Sequence, residues 1–180
     1  MPTPDFIKEL RQDIGTKELW VPATRGVVLR RPSVHDEVAD SASQVTHAEG
    51  ASTAETEVLL VRRADNGAWT VTSGILDPGE DPAIGAVREV EEETGVVARP
   101  VRVAGVFATG LVRYPNGDAC RYLDTVLEME PVSGQARVND DESVEVGWFP
   151  VSELPEPISE DQRMVIDWAL DAEAPARFRS

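Results

Sequence analysis

Apolar positions recur at two periods along this chain, and the switches between them outline its elements. Within Pro4 to Ile14, residues Phe6, Ile7, Leu10 and Ile14 return at near-helical spacing, which predicts a short amphipathic helix. Ala23 to Arg31 (ATRGVVLRR) and Glu57 to Arg63 (EVLLVRR) read as strands, as do Trp69 to Thr72, Val101 to Thr109, Arg121 to Met129 and Val144 to Phe149. Asp65-Asn66-Gly67 marks a turn, and Tyr114-Pro115-Asn116-Gly117-Asp118 carries the Asn-Gly signal of a tight hairpin. Ser159 to Leu170 returns to the helical period, with Met164, Val165, Trp168 and Ala169 on one face. This alternation predicts an α/β domain with a mixed sheet and helices packed on it.

Residues 33–56 break the pattern. Ser, Ala, Thr, Glu and Asp dominate there without apolar periodicity, which predicts a long mobile loop. His35 and His47 both lie in it and read as solvated loop residues rather than metal ligands. The chain therefore divides into a lead-in at 1–22 containing the first helix, a domain at 23–171 and a tail at 172–180.

Composition narrows the function classes. A chain of 180 residues with 41% hydrophobic residues is long enough for one buried core. No apolar run approaches the roughly 18 residues of a membrane helix, and Met1 to Asp5 lacks the basic and apolar regions of a signal peptide. The single cysteine, Cys120, excludes an internal disulfide. A cytoplasmic location is expected. The net charge of −16 repels duplex nucleic acid and anionic membrane. To bind a small polyphosphate, such a protein needs a local reversal of sign, from clustered arginines or from divalent cations held by carboxylates.

The chemistry concentrates between Gly74 and Val96. Asp81 suits an N-cap, Pro82 the first helical position and Gly95 the position after the last turn, so a helix is predicted over about 82–94. At about 100° per residue, Ala83, Ala86, Val87, Val90 and Thr94 share the core-facing arc. Glu89, Glu92 and Glu93 stand at i, i+3 and i+4 on another arc, where their carboxylates can converge. Gly85 lies on that arc one turn earlier and keeps it free of bulk. A solvated acidic face is the bland alternative. Against it, the pair Glu89–Glu93 opposes itself by roughly 0.2–0.5 kcal/mol, and the helix dipole disfavours anions in the last turn by a further ~0.3–1 kcal/mol each. Arg88 can relieve Glu92 at i+4. A hard cation such as Mg²⁺, which takes oxygen ligands and substrate phosphates, relieves the whole group.

The spacing adds more. Gly74, Glu80, Arg88, Glu89, Val90, Glu92, Glu93, Gly95 and Val96 match every defined position of the Nudix box, and Gly147-Trp148-Phe149-Pro150 is similar to the family's late strand. The segment thus resembles the Nudix hydrolase family, which implies an α/β/α sandwich built on a mixed sheet. It also implies Mg²⁺-dependent hydrolysis, with Mn²⁺ as an alternative metal, of a pyrophosphate bond in a nucleoside diphosphate-linked molecule or a nucleoside triphosphate. By the same resemblance Glu89, Glu92 and Glu93, helped by the Gly74 carbonyl, hold metal, and Arg88 pairs with Glu80 to fix the loop against the helix. Thr72-Ser73-Gly74 departs from the Pro-Gly-Gly of many members but keeps the required glycine. Glu142, in Asn139-Asp140-Asp141-Glu142-Ser143, resembles the position of an additional base or ligand, with Glu145 as its competitor.

Candidates for substrate contact lie outside the box. Tyr114 resembles the pattern of dinucleoside-polyphosphate hydrolases, and Trp69 and Phe107 offer rings for stacking, with core packing as their default. Cys120 reads as a strand residue rather than a nucleophile. A homodimer is expected from the family and from the apolar Phe6, Ile7, Leu10 and Leu19-Trp20-Val21, unless that helix caps its own sheet. The competing readings are a degenerate member that binds a nucleotide and regulates, an isomerase on the same fold, and a protein–protein module.

Overall fold

The computed structural model of the chain describes residues 3–32, 55–114 and 116–179. The expected loop at 33–56, with His35 and His47, falls almost wholly outside them. The element order is α1 (Asp5–Ile14), β1 (Leu19–Arg30), β2 (Glu57–Arg63), β3 (Trp69–Thr70), β4 (Thr72–Ile75), α2 (Pro82–Thr94), β5 (Val96–Ala108), β6 (Val112–Arg113), β7 (Ala119–Gly134), β8 (Ser143–Pro150), α3 (Glu160–Leu170) and β9 (Arg177–Phe178). Among the described residues, no helix is long and apolar enough to cross a membrane.

Strand β1 joins two halves of one mixed sheet. Along Leu19–Val28 it runs parallel to β7, and at Ala23–Gly26 antiparallel to β4. At its far end it turns to pair Leu29 with Val58 and Arg30 with Glu57. Strand β2 carries β8 on one side and β3 on the other. Beyond β7 lie β5 and the short β9. Side chains alternate across each strand, so one continuous apolar run feeds two cores. Val28 and Leu59 pack with Ala86 and Val90 of α2. Their neighbours Val27, Leu29, Val58 and Leu60 pack with Val165, Ile166 and Trp168 of α3. The result is the expected sheet with helices on both faces.

Several strands outrun their apolar cores. β5 begins at Val96 rather than Val101 and β7 extends from Ala119 to Gly134. These added ends carry exposed residues such as Arg99, Pro100, Glu130-side neighbours Val132 and Ser133, and register shifts between Val97 and Ala98 and between Pro100 and Arg102. Burial alternates poorly there, so the sequence pattern fades before the backbone pairing does. The two-residue strands β6 and β9 are too short to carry any period. The Asn-Gly turn is present: Tyr114 N–H donates to Asp118 O at 2.9 Å and Gly117 adopts φ 90°, closing the connection between β6 and β7.

Helix α1 buries Ile7. Arg11 anchors it, with Nη2 donating to Ala119 O at 3.1 Å and to Cys120 Sγ at 3.3 Å, and Nε standing 3.1 Å from Asp118 Oδ1. Cys120 is a buried strand residue, as expected. Leu10 and Trp20 remain exposed.

Candidate active site

The site is assembled where β4 ends and α2 begins and finishes. Asp81 has extended N-cap geometry (φ −73°, ψ 142°) but makes no side-chain cap, so Pro82 and the backbone bonds from Ile84 and Gly85 to Asp81 O start the helix. Gly95 ends it in the left-handed conformation at φ 69°, with its N–H on Glu91 O. Helix α2 therefore spans the expected residues.

Arg88 organises the loop and the helix together. Its Nε donates to Glu80 Oε1 at 2.9 Å and its Nη2 to Glu80 Oε2 at 2.8 Å, a two-pronged pair across the loop. Asp77 N–H adds a third bond to Glu80 Oε2 at 3.1 Å. The Arg88 bonds, foremost, hold the Glu80 carboxyl below its usual range. The same guanidinium turns Nη1 to Glu89 Oε1 at 2.6 Å and to Glu92 Oε2 at 3.1 Å. Arg88 thus neutralises a helix face as well as fastening the loop.

Gly85 is buried, and a Cβ there would meet Leu76 Cδ2 at 2.5 Å and Glu80 Oε2 at 3.0 Å. Its missing side chain lets the loop lie against the helix.

The three glutamates are not equivalent. Glu92 is exposed. Glu89 is 2% exposed. Burial pushes its carboxyl up to about 7 against the pull of Arg88. Glu93 rises further, to about 8, chiefly by burial, then by the charge of Glu89, with the Ser73 backbone N–H opposing and Asp140 adding to the rise. One of its oxygens, Oε2, is enclosed with no hydrogen-bond partner. In this arrangement Arg88 bridges Glu89 and Glu92, and among the described residues no three acidic, histidine or cysteine side chains close around a single point.

Two neighbouring segments complete the surroundings. Asn139 Nδ2 donates to the carbonyls of Glu91 and Glu92, both at 3.1 Å, capping the end of α2. Asp140 Oδ1 accepts from the backbones of Glu142 and Ser143 at 3.2 Å, which shapes the turn that carries Glu142. Ala64 N–H donates to Glu142 O at 2.7 Å, so the end of β2 is tied to that turn. There Arg63 grips Asp65 through Nε at 2.9 Å and Nη2 at 2.7 Å, and that pair foremost stabilises its cation. Sequence reasoning passed over Arg63, Asn139 and Asp140. Their signal was position: the last residue of a strand and the first of an acidic turn preceding another.

Among the proposed substrate contacts, Trp69 and Phe107 are core residues. Trp69 is 5% exposed with its ring edge-to-face on Phe149 at 4.7 Å, so no ring face is open for stacking. Tyr114 is exposed, with its hydroxyl 2.5 Å from that of Tyr122. Glu145, the competitor of Glu142, is an exposed strand residue standing 3.6 Å from Arg62. Gly74 is buried in β4, paired with Thr24 of β1.

The NUDIX domain profile matches residues 50–169, which contain α2, its loop and most of the sheet. The chain belongs to the Nudix hydrolase family. A MutT-like protein of Streptomyces ambofaciens is 32% identical over 121 residues, spanning 66% of this chain and 71% of the relative. The 8-oxo-dGDP phosphatase NUDT18 of Mus musculus is 30% identical over 108 residues, 57% of this chain but only 31% of that protein. The solved structure of an ADP-ribose pyrophosphatase from Streptococcus suis 89-1591 superposes with a TM-score of 0.57 at 20% identity, over 88% of this chain and 98% of that one. The last shares the fold of this Nudix chain.

Proposed function

We propose that this Nudix hydrolase cleaves, with Mg²⁺, a pyrophosphate bond in a nucleoside diphosphate-linked small molecule or a nucleoside triphosphate. The observation that carries the reading is Glu93: an enclosed carboxyl with an unpartnered oxygen, beside buried Glu89, at the anion-disfavouring end of a helix. A fold keeps such a strained acid where a cation relieves it. The donor set also fits, since carboxylate and carbonyl oxygens are the ligands hard divalent ions take. Glu89, Glu92 and Glu93, with the Gly74 carbonyl, would hold the metal; Mn²⁺ suits the same donors. When bound, the metal neutralises the diphosphate and lowers the pKa of a nearby water.

The chain's own residues do the rest. Glu80 and Arg88 keep the β4–α2 loop and the helix in one geometry. Arg63 is the cation of this neighbourhood whose partner, Asp65, is itself exposed at 59%, so its guanidinium can exchange that carboxylate for a substrate phosphate. Glu142, on the turn built by Asp140, takes the proton from the attacking water. Tyr114 lies on the exposed hairpin from which a substrate's far end is approached. The names of the relatives point to nucleotide-type substrates, among them 8-oxo-dGDP and ADP-ribose. Product release from a panel of nucleoside triphosphates, oxidised nucleotides, ADP-ribose, dinucleoside polyphosphates and sugar nucleotides, with and without Mg²⁺, tests the reading. Cleavage of one class only with the metal is expected; no cleavage of any would overturn it.

A further inference from the structure

On the α3 side of the sheet, four charged side chains gather around one aromatic ring. Phe107 of β5 is 3% exposed and receives the edge of Trp168 at 5.9 Å. Two guanidinium groups lie over it, Arg25 of β1 at 5.0 Å and Arg179 at 4.6 Å from the ring centroid. Arg25 donates to buried Asp124 through Nε at 2.8 Å and Nη2 at 2.7 Å, while its Nη1 is enclosed without a hydrogen-bond partner. Arg179 pairs with Asp161 of α3 at 2.5 Å.

These groups differ in how they are fastened. Arg25, Asp124 and Phe107 are fixed in long central strands. Arg179 arrives on the chain's last segment, where β9 meets β5 through only two register pairs, Gly105 with Arg177 and Val106 with Phe178. Phe178 is 75% exposed, and the Arg177–Asp171 and Arg179–Asp161 pairs are both solvent-facing. Exposed pairs of this kind hold weakly. A backbone path links them to the candidate active site: Arg25 sits opposite Ser73 across β1 and β4, and Ser73 N–H is the backbone donor on Glu93.

We propose that residues 177–179 form a displaceable strap, and that Arg179 occupies the seat of a substrate's nucleobase on Phe107. A flat heteroaromatic ring replaces the guanidinium over Phe107. An acceptor on its edge takes the free N–H of Arg25, and an adjacent N–H on the ring donates to Asp124. Every nucleobase offers such an acceptor–donor pair, so the seat selects a nucleobase over a bare polyphosphate, and the strap sets how often it is open. The proposal rests on the nucleotide reading above.

The test uses nucleosides, which carry no phosphate, so that it is independent of metal binding and of cleavage. Binding of adenosine, guanosine, cytidine and uridine is measured by calorimetry on the full chain, on a chain ending at Ala176 and on Asp161→Asn, which frees Arg179 without removing it. A strap closed nine-tenths of the time weakens binding about tenfold, so at least one nucleoside is expected to bind about tenfold more tightly to the shortened chain and about two- to threefold more tightly to Asp161→Asn, and Phe107→Leu in the shortened chain is expected to erase the gain. Unchanged or weaker binding to Asp161→Asn overturns the strap, whether or not the shortened chain folds. So does the absence of nucleoside binding to every form. If nucleosides bind as expected but no pyrophosphate is cleaved, the failure lies with the hydrolytic reading instead.

Discussion

Replacing Glu93 by glutamine should stabilise the metal-free protein, by an amount that grows with pH. An ordinary glutamate titrates near 4.5, whereas burial lifts Glu93 to about 8. Below pH 4.5 the group is protonated in both the folded and unfolded chains and costs nothing. Between 4.5 and 8 the unfolded chain releases the proton while the folded one retains it, so stability falls as pH rises. At about 1.4 kcal/mol per pH unit, the loss reaches about 3 kcal/mol at pH 7 and about 5 kcal/mol at pH 8, large against a typical total of ~5–15 kcal/mol. Glutamine has the shape of the protonated acid and can still accept from Ser73 N–H. Urea denaturation in the presence of a chelator should therefore show Glu93→Gln within about 1 kcal/mol of the parent at pH 5 and several kcal/mol above it at pH 8. Added Mg²⁺ should close that gap by stabilising the parent alone. A variant less stable than the parent by the same amount at both pH values would refute the reasoning, because Glu93 would then be a structural acceptor and not a strained acid.

Arg88→Lys should cost about 3 kcal/mol in thermal or chemical denaturation, since an ammonium cannot serve both oxygens of Glu80 and also reach Glu89. Gly85→Ala drives a methyl to 2.5 Å from Leu76 Cδ2; a loss of about 1–3 kcal/mol and reduced turnover are expected, and normal stability would show the loop to be looser than its packing. Glu142→Gln should lower kcat far more than it changes KM and remove the acidic limb of the pH–rate profile, an outcome that a purely structural turn residue would not give.

The helix over residues 82–94 was legible to the residue because three independent signals agree there: Pro82 at its start, Gly95 at its end and a clean apolar arc between them. The sheet's central strands were legible for a similar reason, since the runs VVL in β1 and VLL in β2 are apolar on both faces. What escaped was polar. The extra length of β5 and β7 is held by backbone pairing under exposed side chains, and β9 is two residues held at a sheet edge. Within the site, the spacing of Glu89, Glu92 and Glu93 showed a shared helix face but not their depths. Depth depends on neighbouring segments: the Ser73 backbone reaches Glu93, a contact that is not local in sequence. Arg88 was expected to serve Glu80 and, separately, Glu92; its simultaneous hold on Glu89 follows from the loop's closeness to the helix, which Gly85 permits.

The central claim is that the acids of α2 hold a divalent cation for hydrolysis. Its most direct test is a Mg²⁺ titration of pyrophosphate-bond cleavage by the parent chain and by Glu92→Gln, on whichever substrate the panel identifies. Glu92 is exposed, so its loss should leave the fold intact by circular dichroism. The expected result is saturable dependence on Mg²⁺ in the parent and a loss of at least about a hundredfold in kcat for the variant. Near-normal turnover by Glu92→Gln at saturating Mg²⁺ would contradict the account.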